Sequence, residues 1–433
     1  VQETERAETA CFDCHTNRDA LQVGLDQLAP DRLMTPPMQP GGLAVMYAEP
    51  ANAGHTRSRL EQVLVDNERY PQTVHGHMAC TSCHGGVDSA DIRIAHTGIL
   101  RRPGVDYEHT CGYCHQNITS VYANSLHATT AGMTTAIHAR AHSSDRVRLT
   151  GILEEICVGC AASCGDCHVG VPLSAGGGLL DGHNFAPPDM TVQCMGCHGA
   201  TSAGEYLGVH TGLADVHYAQ GGMDCSDCHR SDRMHGQAAD CQSCHVGPQV
   251  SSPPPPSHRY AETQSPSCES CHVSASTGAD GLIWHTAHGA DLACQTCHAE
   301  AYTNCADCHL GLDGTVSLGE MQTGLVIGRN PLRSFARPYH YITLRQVPTT
   351  PDTFSSYGQG LLGRFDRIET WRYATPHTIQ RHTSQTATCF ACHGNAEFFL
   401  TADRLITPWE MAANQRVVVP VIPSVEQVIN AGE

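Results

Sequence analysis

All 24 cysteines of the 433-residue chain fall into twelve C-x-x-C pairs, and eleven of those pairs are followed at once by histidine. In chain order they are Cys11, Cys14 and His15; Cys80, Cys83 and His84; Cys111, Cys114 and His115; Cys164, Cys167 and His168; Cys194, Cys197 and His198; Cys225, Cys228 and His229. The series continues with Cys241, Cys244 and His245; Cys268, Cys271 and His272; Cys294, Cys297 and His298; Cys305, Cys308 and His309; Cys389, Cys392 and His393. We number them sites 1 to 11. C-x-x-C-H is the attachment pattern of haem c. Two thiols add across the two vinyl groups of one porphyrin, and the adjacent imidazole reaches the iron from one face. Histidine makes up only 29 of 433 residues, so composition does not place it after eleven pairs in twelve. Structural zinc does not require histidine to abut the second cysteine. Iron–sulfur ligation uses cysteine runs without it, and a disulfide framework leaves the histidines unexplained. Eleven haem c groups are therefore the expected cofactors.

The twelfth pair, Cys157 and Cys160, is followed by Ala161 in the run CVGCAASCGDCH. A short-loop disulfide is the first reading. A haem held without its neighbouring histidine and a pair of free thiols remain alternatives.

Eighteen histidines lie outside the motifs, enough to give every iron a second axial imidazole. Bis-histidine ligation gives closed, low-potential irons suited to electron transfer, while a methionine ligand raises the potential. Local context selects His75, His96, His127, His138, His183, His217, His235, His258, His285, His288 and His377 as distal candidates. His77 competes with His75, and His142 and His340 compete with His138. His285 and His288 are one helical turn apart and could serve two irons.

These ligands need short, closely spaced elements. Nine motifs lie between Cys80 and His309, which predicts a packed row of cofactors with little private protein around each. Aromatic residues are only 6% of the chain, too few for ordinary cores in a protein of this length, so the cofactors should fill much of the interior. The expected fold class is mostly irregular with short α-helices, a multihaem cytochrome c fold organised around the haem chain, with a small β-containing segment near the C-terminus. Helices are expected over 58–67, 121–127 and 135–142. Pro253 to Pro256 read as a polyproline spacer. The tail RVVVPVIPSVEQVI reads as a strand pair or an intersubunit strand. Four stretches follow: 1–74 with site 1; 75–250 with sites 2 to 7; 251–310 with sites 8 to 10; and a motif-poor 311–433 with site 11.

The formal net charge is −18 at pH 7 and lysine is absent. Nucleic acid is thereby disfavoured as a partner, since binding it needs a basic face. Basic redox proteins or cation-rich and mineral acceptors suit the charge better. No apolar run is long enough for a membrane span. A start at Val1 fits a secreted, mature form in the periplasm or outside the cell.

Motif density from residue 11 to 393 resembles that of large periplasmic or extracellular multihaem c-type cytochromes, including those that polymerise into conducting filaments. The stretches GGLLDGHNF, ADVHYAQGGMDCSDCHRSDRMHG and ATPHTIQRHTSQTATCFACHGN carry the likeness, which supports His183, His217, His235 and His377 as distal ligands. The resemblance implies long-range electron transfer in anaerobic respiration, as a discrete carrier or as a filament protomer. The competing expectation is a multihaem oxidoreductase acting on a small nitrogen or sulfur compound at one open haem. The lysine-ligated catalytic haem of nitrite reductases has no counterpart in a lysine-free chain, whereas a tyrosine-linked haem stays open with 13 Tyr present. Electron storage is a third expectation.

Overall fold

The computed structural model describes residues 10–27, 58–156, 161–236, 267–289, 291–305, 321–333 and 338–430. Sites 7 and 10 (Cys305's backbone apart), His258, the Cys157 and Cys160 pair and the proline run lie outside them. The chain divides into two compact units that interleave along the sequence. The first draws on Val1–Thr130, Cys157–Gly199 and Met234–Gln237; the second draws on Ala131–Ile156, Ala200–Arg233 and Ala238–Glu433.

The motifs themselves nucleate much of the helix. Residues i, i+3 and i+4 share one face of a helical turn, which puts both thiols and the imidazole of C-x-x-C-H on one side. The backbone obeys: the His84, His115, His229, His272 and His393 amides each donate to the carbonyl of the first cysteine of their own motif, at 2.7–2.9 Å. Some motif turns carry their own N-terminal caps. Ser163 and Asp166 form a capping box on Cys164–His168, and Asp224 and Asp227 form one on Cys225–Cys228. Such caps matter for helices of one turn, which do not persist on propensity alone.

Most of the first unit is short helices and turns around these sites. Two expected helices are displaced. Gly112–Tyr122 and Leu126–Thr129 replace a helix over 121–127, because Ser125 turns extended and its hydroxyl caps the second helix at Ala128. Residues 58–67 form turns followed by a 3-10 turn at Tyr70–Gln72 rather than a helix. Long-range bonds take the backbone instead: the Val65 amide donates to the His15 carbonyl, the Asp66 amide to that of Gly182, and the Leu179 amide to that of Gln62.

The second unit holds the β structure. β1 (Tyr302–Cys305) pairs antiparallel with β2 (Met321–Gly324). β3 (Ile327–Arg329), β4 (Tyr341–Gln346) and β5 (Trp371–Tyr373) form a three-stranded antiparallel sheet with β4 central. Two apolar clusters build on it. One includes Ala293, Ile342, Leu344, Leu400 and Val417; the other includes Ala299, Tyr302, Ile327, Phe399 and Val419. Gly328 is needed at the sheet, since a Cβ there would stand 2.2 Å from Leu344 Cδ1. The helix over Ala131–His138 begins and ends earlier than the expected 135–142.

The C-terminal run does not form an exposed strand. Val417 accepts from the Arg329 amide and the Val419 amide donates to Leu400, and both side chains are buried. Pro420 and Pro423 prevent further strand pairing there. A helix over Val425–Asn430 follows.

Beneath β4 lies a buried ion pair. Arg345 meets Glu205 at 2.5 Å, and Glu205 is fully buried and also accepts from the Thr303 and His377 amides. Replacing Arg345 with Met strands the carboxylate and will cost about 3–5 kcal/mol. Urea titration of the variant will show a lowered midpoint; an unchanged midpoint would mean that Glu205 does not depend on this partner.

Candidate functional site

Each of the nine described motif histidines faces a second histidine from outside the motifs. In the first unit, ring centroids are 6.3 Å apart for His15 and His96, 5.9 Å for His84 and His183, and 6.2 Å for His115 and His75. The same unit holds His168 with His235 at 6.0 Å and His198 with His127 at 6.2 Å. In the second unit His229 faces His377 at 6.2 Å, His272 faces His217 at 6.0 Å, His298 faces His285 at 6.1 Å and His393 faces His288 at 6.2 Å.

This spacing has a metal-shaped meaning. A ligating imidazole nitrogen sits about 2 Å from its metal, so two such rings on opposite sides of one ion have centroids about 6 Å apart. Packed aromatic rings scatter over roughly 4.5–7 Å. Nine pairs confined to 5.9–6.3 Å, each of one motif and one non-motif histidine, are not ordinary packing. For contrast, Phe185 stacks directly on His75 at 3.8 Å.

The outer ring nitrogens are held by the chain. Nδ1 of His15 meets the Val63 carbonyl, His84 that of Leu100, His168 that of Ala186, His298 that of Gln380 and His393 that of Ser424, at 2.9–3.1 Å. Such bonds fix the tautomer with Nδ1 protonated and leave Nε2 as the ligating atom. Burial pushes the imidazoles of His15, His84, His298 and His377 below their ordinary value, and takes His183 down to about 4. Neutral imidazole is the form that binds a metal.

The thiols fit as well. None of the 18 described motif cysteines is in a disulfide. Among the described residues no three His, Cys, Asp or Glu side chains converge as a zinc site requires. The residues present thus fit a porphyrin attached by two thioethers and ligated on both faces, and do not fit zinc or cystine.

Neighbouring sites are close within each unit. In the first, His84 interacts electrostatically with His15, and the Cys83 thiol with Cys111 and Cys114. The Cys111 thiol lies close enough to Cys164 for each to shift the other's titration, and Cys167 feels Cys194 and Cys197. Sites 1 to 5 therefore follow one another in chain order. In the second, Cys228 feels Cys271 and Cys268, the Cys268 and Cys294 thiols influence each other, and Cys392 feels Cys297. The described order there is 6, 8, 9, 11.

Specific elements position these sites. The helix Ile283–His288 carries both His285 and His288, which face the motif histidines of sites 9 and 11. The motif helix Cys294–His298 is flanked by Ala293 and Ala299, both fully buried, one in each apolar cluster. The sheet thus anchors site 9. Phe185 packs against both His75 and His183, bridging the distal ligands of sites 3 and 2.

Nine of the eleven distal candidates are brought against motif histidines. His138 instead has its Nε2 3.1 Å from the Thr150 hydroxyl, and no described motif histidine faces it. His340 is held by Asp291 and Arg333, and His142 lies against Gly363. Sequence reasoning passed over Asp215 and Asp280, whose carboxylates accept hydrogen bonds from Nδ1 of His217 and His285. The D-x-H spacing of Asp215 and His217 was the available signal.

Residues 110–199 match the family model described as cytochrome c554 and c-prime. That stretch spans sites 3 to 5 and supports a c-type cytochrome with haem c and electron transfer as its business. No curated protein and no solved structure matches the chain. No helix among the described residues is long and apolar enough to cross a membrane.

Proposed function

We propose that the chain carries electrons over long range through eleven haem c groups, most of them bis-histidine, in periplasmic or extracellular anaerobic respiration. The observation that carries this reading is the recurrence of nine histidine pairs at one metal-spanning separation, each at a C-x-x-C-H motif whose cysteines form no disulfide. His138 and His258 are the remaining candidates for the distal positions of sites 7 and 10.

When bound, haem c supplies a reversible one-electron couple at iron and needs no proton or substrate to turn over. The chain's contribution is placement. The thioether cysteines fix each site covalently, so it stays with the protein outside the cell. The paired imidazoles fill both faces of each described site, which closes it to substrate. That closure favours a conduit over an oxidoreductase with an open haem. Within each unit, the closeness of neighbouring described attachment sites keeps each transfer step short.

Basic redox proteins or external acceptors are the proposed partners, consistent with a net charge of −18. Self-association into a conducting filament is the further form of this proposal, with electron microscopy of native material showing fibres or discrete particles. It does not use the C-terminal run as an intersubunit strand, since that run packs into its own unit. The decisive assay is the pyridine haemochrome. Eleven equivalents per chain with uniformly low-spin spectra are expected; far fewer equivalents would end the reading, and a high-spin haem in the native protein would favour the enzyme.

A further inference from the structure

The Nδ1 partners of the distal histidines are not alike. His96 and His288 turn Nδ1 to main-chain carbonyls of their own helices, Ile92 and Trp284. His217 and His285 turn it to carboxylates instead, Asp215 at 2.8 Å and Asp280 at 2.5 Å. His183 and His377 are at the other extreme, with Nδ1 buried and unpartnered.

A carboxylate acceptor makes a charge-assisted bond, roughly twice as strong as one to a neutral carbonyl. It draws the Nδ1 proton outward without removing it, and the ring becomes a stronger donor through Nε2. A stronger axial donor stabilises the ferric state over the ferrous one and so lowers the potential. The effect is largest where water is excluded, and the Asp215 side chain is only 2% exposed. The two carboxylates sit at sites 8 and 9, which are adjacent: Cys294 Sγ of site 9 lies 3.7 Å from Glu269 Oε1, within the Cys268–Cys271 motif of site 8.

We infer that Asp215 and Asp280 are positioning residues that set sites 8 and 9 as an adjacent low-potential pair in the middle of the second unit's run, between sites 6 and 11. The inference rests on the reading that His217 and His285 are axial ligands. It adds that the run is graded by design of its outer hydrogen bonds: an electron crossing this unit passes through a step that is less readily reduced than its neighbours. Such a step slows net flow through the unit at moderate driving force and lets it run when the donor is strongly reducing.

Spectropotentiometric titration of the intact holoprotein tests this. Asp280→Asn keeps the Leu282 cap, which uses the other carboxylate oxygen, and removes the charged acceptor from His285. One component should rise such that its ferrous-to-ferric ratio at fixed potential increases about tenfold, equivalent to about 59 mV for a one-electron couple. Haem content and low-spin signals should not change. Asp215→Asn should raise a different component. Asp291→Asn, which removes an exposed carboxylate bonded to the non-ligand His340, is the charge control and should move nothing. The inference is overturned if Asp280→Asn and Asp215→Asn leave every component in place, or if Asp291→Asn shifts one as far. A native protein lacking haem or low-spin signals would instead refute the axial-ligand reading, so the two failures are distinguishable.

Discussion

Changing Cys294 and Cys297 together to Ser will lower haem content by one equivalent and slow transfer across the second unit out of proportion to the single haem lost. Site 9 lies near both site 8 and site 11, its thiols interacting electrostatically with Cys268 and with Cys392. Removing an interior member lengthens one step rather than shortening the row. The matching change at site 1, Cys11 and Cys14 to Ser, also costs one haem but takes it from the end of the first unit's described run. Stopped-flow reduction followed at the Soret band will separate the two variants: a slow phase of internal equilibration appears with the site 9 change and not with the site 1 change. Equal behaviour would mean that the order 6, 8, 9, 11 is not the path. The fold should survive, because Ala293, Ala299 and the apolar clusters on either side are untouched.

A single proline at Ala287 will disturb two haems at once. Ala287 lies in the six-residue helix that carries both His285 and His288. Proline there removes a backbone donor and clashes with the preceding turn, costing about 3 kcal/mol or more in a helix interior. Both distal ligands then lose their aim, one toward site 9 and one toward site 11. Electron paramagnetic resonance will show two of the haems passing from low to high spin while the pyridine haemochrome count stays the same. A change at only one haem would mean that the helix does not serve both.

The attachment chemistry is legible in the sequence because it is strictly local. Two thiols and an imidazole at i, i+3 and i+4 occupy one turn, and nothing distant has to be known. The non-motif histidines that face the motifs are legible as a set for a weaker reason: there are few other uses for so many imidazoles. Their pairing is not legible. His377 reaches His229 and His183 reaches His84 through folding of the whole unit, and neither short-range spacing nor composition encodes that. His75 illustrates the trap. It stands just ahead of site 2 in the sequence, yet it faces His115 of site 3. Local helix limits failed where side chains or distant backbone groups compete with the helix. Ser125 split the expected helix over 121–127, while backbone bonds from 62–66 to His15, Leu179 and Gly182 displaced that over 58–67. The small β region was foreseen from its β-branched and aromatic residues, but the tail was not. Val417 and Val419 look like an exposed strand until β3 and Leu400 are seen to take them up.

The interleaving of the two units bears on the order in which the molecule can be completed. A chain that emerges from its N-terminus presents His168 well before His235 exists, and His229 long before His377. Attachment at those motifs would leave one axial position waiting for downstream residues. During that interval small exogenous ligands such as carbon monoxide or imidazole could occupy the vacancy and trap misassembled species. Biogenesis, more than the finished protein, is thus the stage at which this cytochrome-like chain is vulnerable to poisoning.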